Sequence, residues 1–161
     1  TGEETASRAR AFTSDDGAAW APITAPSGGT VHGMGSALVA LDLGAGGQVS
    51  TDAGATWADF EIAEAGIGSL AGCTWADAGP LGVAALCEAA DGPALAVSSD
   101  LRTWTVTPLA DVVGDEAAAT LNGMAIHVGD DRVVVTANGS TPVPDGGQAP
   151  SATAIGVPTR S

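Results

Sequence analysis

Apolar residues along this chain gather in short runs, each closed by glycine, proline or aspartate. Residues 36–43 read SALVALDL, 81–89 read LGVAALCEA and 131–139 read DRVVVTANG. Runs this short, rich in Val and Ala and bounded by turn residues, predict strands; a helix would need about ten or more periodic positions. Shorter stretches flank them: TVHGM (30–34) before the first run, then TWADFEI (56–62) and TWTVTPL (103–109) beyond the turns GAGG (44–47) and Asp91-Gly92-Pro93. Each unit reads as four antiparallel strands joined by tight turns within roughly 40 to 50 residues, the size of one propeller blade. The chain as a whole is predicted to be all-β.

Two motifs recur in step with these units. SDDGAAW, STDAGATW and SSDLRTW begin at Ser14, Ser50 and Ser98, and each sets Asp two residues after Ser and Trp at its end. GTVHGM (29–34), GSLAGC (68–73) and ATLNGM (119–124) alternate with them and are read as the first strand of each unit. Two motifs that keep the same order three times mark an internal repeat.

Composition narrows the class. The 161 residues carry 23 Gly and 9 Pro, no Tyr, and a formal charge of −14 from 19 acids against five arginines. Such a surface repels nucleic acid and anionic membranes. The scattered acids read first as a solubilising surface, with a cationic partner or calcium as alternatives. No apolar run approaches the length of a membrane span. The start, TGEETASRAR, resembles a mature terminus left after processing, or a tether beyond a lipid anchor.

Cys73 and Cys87 centre on Pro80, within the turn-like AGPLG. Antiparallel partners share a constant index sum, so a hairpin folded there sets the two cysteines opposite each other. A cross-strand disulfide is predicted, and with it an oxidising, extracytoplasmic location. Two buried free thiols are the alternative.

STDAGATW is a full match to the pattern Ser-x-Asp-x-Gly-x-Thr-Trp, and in this it resembles the Asp box of the BNR repeats in sialidase-like β-propellers, xyloglucanases and sortilin-type receptors. SDDGAAW lacks the Thr and SSDLRTW lacks the Gly. The resemblance implies four-stranded blades with each box as a structural turn between third and fourth strands. Its residues are Ser14, Asp16 and Trp20; Ser50, Asp52, Gly54, Thr56 and Trp57; Ser98, Asp100, Thr103 and Trp104. The physics agrees: an Asp side chain closes the turn on backbone N–H groups, Gly54 takes a conformation other residues resist, and Trp folds over the hairpin.

The expected layout is one domain over 1–161: a polar leader (1–8), a half blade (9–24), blades at 29–64 and 68–110, and a degenerate unit at 119–161 with STPVPDGGQAP in place of its box. Such a chain begins and ends mid-blade. Further strands are therefore expected from a second copy, from a different chain or from a longer parent protein, with a second copy favoured over a different chain, since open strand edges invite pairing.

Candidate chemistry is sparse. Sialidase activity needs a tyrosine nucleophile and an arginine cluster, and neither is present. Paired carboxylates of a glycosidase could come from the ligand-face loops, which hold Glu64, Asp91, Asp111, Asp115 and Glu116, although solvated loop acids are the plainer reading. His32 and Asn122 share a motif position on the innermost strand and could line a central channel. Trp75, beside Cys73, reads as a packing residue. GAGG is a hairpin turn with no helix after it, and Asp130-Asp131 is a turn where calcium would lack a ligand pattern. The function predicted is a non-catalytic, extracytoplasmic binding or scaffold module without a cofactor; a carbohydrate-active enzyme and a calcium-dependent lectin are the alternatives.

Overall fold

The computed structural model describes residues 11–14, 17–62, 67–118, 124–138 and 151–156. Asp16, Glu64, Asn122, the leader and the STPVPDGGQAP segment lie outside the described residues, as does the side chain of Glu116.

Among the described residues thirteen strands form four antiparallel sheets in chain order. β1 (Ala11–Thr13) and β2 (Ala21–Ile23) make a two-stranded ribbon. The second sheet holds β3 (Thr30–Met34), β4 (Ala37–Asp42), β5 (Gly46–Ser50) and β6 (Ala58–Phe60). The third holds β7 (Cys73–Gly79), β8 (Gly82–Ala89), β9 (Gly92–Ser98) and β10 (Thr105–Pro108). The last holds β11 (Met124–Val128), β12 (Val133–Asn138) and β13 (Ser151–Gly156). The all-β class and the antiparallel units hold, and the stretches that begin at Ser50 and Ser98 lie between the third and fourth strands of their sheets. Among the described residues the four sheets do not join into a closed ring.

The middle sheet is covered on both sides, which explains why β8 is a continuous apolar run where a half-exposed strand would alternate. Val83, Ala85 and Cys87 face the second sheet with Val39, Leu41 and Phe60. Ala84 and Leu86 face the last sheet with Met124, Val128, Val133 and Val135.

The Cys73–Cys87 disulfide is present and spans β7 and β8. It is reached by a route the centre on Pro80 does not describe. The hairpin turn is Pro80-Leu81, and pairing runs from Gly79↔Gly82 to Trp75↔Leu86. That register alone would set Cys73 against Glu88. A bulge at Thr74 supplies one extra residue and returns Cys73 to a position opposite Cys87.

Three further expectations are corrected. GSLAGC does not form a first strand: Leu70–Gly72 is a single 3-10 turn, capped by the Ser69 hydroxyl, and β7 starts at Cys73. Asp111 and Asp115 sit on two short helices, α1 (Leu109–Val113) and α2 (Asp115–Ala118), where a loop was expected. The C-terminal tail supplies the one further strand it could be expected to add, β13, and this moves the place of the box. Leu38 pairs with Ser50, Val83 with Ser98 and Val133 with Gly156, so Gly156 stands where the other units place the box serine. STPVPDGGQAP therefore precedes β13, in the connection from β12, and does not replace the box.

Candidate functional site

The boxes are built by local hydrogen bonding. In the full-length box the Ser50 hydroxyl donates to Asp52 Oδ1 (2.8 Å) and accepts from the Gly54 N–H (2.8 Å). Asp52 also accepts from the Thr56 N–H at Oδ1 (2.9 Å) and from the Thr56 hydroxyl at Oδ2 (2.7 Å). Gly54 has φ 87°, and a Cβ there would come within 2.8 Å of Ile23, so the ribbon leaves room for glycine only. The shorter box repeats the scheme with one residue fewer: Leu101 N–H donates to Ser98 Oγ, and the N–H groups of Arg102 and Thr103 donate to Asp100 Oδ1, each at 2.8 Å. Leu101 takes φ 62° to do so, a cost of about 1 kcal/mol that its burial offsets. The equivalent residue in the first box is Gly17, at φ 72°, whose N–H donates to Ser14 Oγ.

Those bonds stabilise the ionised carboxylates. The Thr56 hydroxyl, then its N–H, then the Ser50 hydroxyl lower the Asp52 pKa from 3.8 to about 2. The N–H groups of Thr103 and Arg102 lower Asp100 in the same direction. A depressed folded-state pKa adds stability above the unfolded value, and that stability fades as pH falls through the folded one. Asp52→Asn is therefore expected to be less stable than the parent at pH 7, with the gap narrowing below about pH 4 and closing only once the pH is below about 2. Urea midpoints across that range measure it; a gap independent of pH would show that the carboxylate's charge is not involved.

The tryptophans differ in a way their shared motif hides. Trp57 donates its indole N–H to the Thr24 carbonyl (2.8 Å) at the end of the preceding ribbon. Trp104 is buried and stacks on Phe60 of the preceding sheet, centroids 6.2 Å apart. Trp20 is 63% exposed and Trp75 is 42% exposed, so neither is the packing residue its sequence context suggests.

A second constellation lies on the first strands. Asp77 on β7 meets His32 Nδ1 from β3 at 3.2 Å and His127 Nδ1 from β11 at 3.4 Å. Its Oδ1 accepts from the Ala78 N–H and its Oδ2 from the Val128 N–H, both at 2.9 Å. One carboxylate thus ties three sheets together. The three residues are equivalent by register, since His32 pairs with Val39, Asp77 with Ala84 and His127 with Val134. The motif that aligned His32 with Asn122 is out of step with the strands. Counting back from each apolar second strand would have found Asp77 and His127. Close approach of β7 and β11 is what allows the contact: a Cβ on Gly79 would strike the Val128 carbonyl at 2.1 Å.

With each oxygen already accepting one backbone N–H and facing one imidazole, Asp77 is a structural hub with little capacity left as a base. Among the described residues no three His, Cys, Asp or Glu side chains could hold a metal ion. Asp131, in the turn considered for calcium, is engaged through both oxygens by the Arg132 guanidinium.

The predicted ligand-face acids are only partly gathered. Pro108 pairs with Ala94, which brings α1 to the same end of the third sheet as the Asp91 turn. Asp91, Asp111 and Asp115 are exposed. At the corresponding end of the second sheet an open cavity of about 390 Å³ is lined by Asp42, Gln48, Asp59, Glu61 and Ser27. Gln48 bridges it, accepting from the Ser27 hydroxyl and donating to Asp59. These residues were missed because nothing in their spacing sets them apart from turn residues.

The chain matches no protein-family model, no curated protein and no solved structure.

Proposed function

We propose that this chain is a non-catalytic, propeller-type binding or scaffold module acting outside the cytoplasm. The observation that carries the reading is the succession of antiparallel sheets, two of them four-stranded with a box turn between third and fourth strands. The box carboxylates are spent on turn hydrogen bonds, which leaves architecture as their role. A disulfide fits an oxidising compartment, and among the described residues no helix is long and apolar enough to cross a membrane.

A carbohydrate-active enzyme is the second reading, favoured by the acid-lined cavity. Incubation with a panel of polysaccharides and aryl glycosides separates the two. No turnover is expected; turnover lost on Asp59→Asn, Asp111→Ala or Asp115→Ala would overturn the scaffold reading.

A further inference from the structure

We infer that the open cavity on the second sheet receives a basic side chain, lysine or arginine, of a protein partner. The inference rests on the module reading and gives that module a contact of stated chemistry.

The internal repeat shows what packing alone requires at this place. Across the third sheet Ala85 pairs with Ala96 and Ala96 with Val106; at the same register across the second, Ala40 pairs with Gln48 and Gln48 with Asp59. The row is apolar in the third sheet, where Ala85 and Ala96 are core residues and Val106 packs against that core. The second sheet has the same strands and the same box, yet it sets Gln48 in place of Ala96 and Asp59 in place of Val106. Both polar side chains line the cavity of about 390 Å³. Gln48 is fixed in orientation: its Oε1 accepts from the Ser27 N–H (2.8 Å) and the Ser27 hydroxyl (2.9 Å), and its Nε2 donates to Asp59 Oδ1 (2.8 Å). A polar pair held rigid against open space, where the repeat otherwise packs, is the arrangement a preorganised contact requires.

The lining selects the ligand. Asp42, Asp59 and Glu61 bring three carboxylates to the cavity, and no basic side chain joins them. Asp42 gives one oxygen to the Gly44 N–H (2.8 Å) and Asp59 gives one to Gln48, which leaves each a second oxygen without a bond among the described residues. The wall thus offers acceptors and calls for charged donors. The space exceeds what a bare ion would fill, and among the described residues no three His, Cys, Asp or Glu side chains could hold a metal. A sugar ring would lack a platform, because Phe60, the one aromatic residue of the lining, is buried and stacked on Trp104. A cation on a long alkyl stem fits what remains, and the charge of −14 draws it in.

Amide chemical-shift mapping of the full chain tests this, with blocked pentapeptides that carry lysine, arginine or glutamine between paired glycines and with glucosamine as an amino-sugar probe. The basic peptides are expected to move the amides of Ser27, Gly28, Gly44 and Gln48 together, the glutamine peptide to move none of them, and glucosamine to bind more weakly than either basic peptide. Asp59→Asn should weaken binding of the lysine peptide about fivefold. Gln48→Ala combined with Asp59→Val restores the third sheet's residues; it should abolish the shifts while the urea midpoint stays at or above that of the parent. If that double variant fails to fold, Asp59→Asn and Glu61→Gln decide alone, since both side chains are exposed. No shifts, shifts spread over the whole acidic surface, equal shifts with the glutamine peptide, tighter binding of glucosamine, or a lysine affinity indifferent to both single substitutions overturns the proposal. Such a failure leaves the module reading standing with a different contact, whereas glycan turnover would remove that reading whatever the peptides do.

Discussion

Replacing both Cys73 and Cys87 by alanine is expected to lower stability by about 3 kcal/mol, with a fall of about 10 °C in the thermal midpoint. The cysteines are 14 residues apart, and the loop they close is a hairpin whose unfolded form gains most of its freedom when the link is cut. Alanine is the cleaner substitute because both side chains are buried, and a serine would add an unpaired hydroxyl to the core between the second and third sheets. Adding reductant to the unmodified chain should reproduce the shift. Urea unfolding measures it; a loss below about 1 kcal/mol would mean that the staple closes a hairpin already ordered in the unfolded ensemble.

Asp77→Ala should cost about 3 kcal/mol, a large effect for one side chain that is 19% exposed. The loss has unequal parts. The Val128 N–H loses its acceptor at the seam between β7 and β11, and an orphaned backbone donor costs about 1 to 3 kcal/mol. His32 is mostly covered and loses its partner there, whereas His127, with 76% of its side chain in solvent, contributes little. The expected order of damage is Asp77→Ala, then His32→Ala, then His127→Ala. Asp77→Asn should fall between parent and alanine, since its single carbonyl serves one side of the hub. Faster amide exchange at Val128 in Asp77→Ala is the local signature. A variant within about 0.5 kcal/mol of the parent would show that the sheets hold together by apolar packing alone.

The features legible in the sequence are those written locally. Apolar runs bounded by turn residues marked the second strands, and the Ser-Asp-Trp spacing marked the turns, because strand period and turn chemistry act over a few residues. The cysteine pairing was legible for a partly mistaken reason, since the hairpin turns between Pro80 and Leu81 and the Thr74 bulge makes up the difference. Register was what the residues hid. The Gly-Met and Gly-Cys motif looked like a strand and is partly a 3-10 turn, so the equivalence of His32, Asp77 and His127 was invisible until the strands were paired. Exposure of Trp20 was hidden too, because Trp57 and Trp104 take their contacts from a preceding element and nothing in a box's own residues reports on that.

The extra residue at Thr74 has a consequence for kinship. Cys73 and Trp75 are both odd-numbered, yet Cys73 pairs toward the second sheet's core and Trp75 and Asp77 pair on the opposite face. The bulge is what inverts the parity between staple and hub, so the segment joining them tolerates neither insertion nor deletion. Divergence can rewrite the boxes, as Gly156 in place of a serine illustrates, but not this count. A chain of the same descent should still read Cys, three residues, Asp, nine residues, Cys, even after every other likeness has worn away.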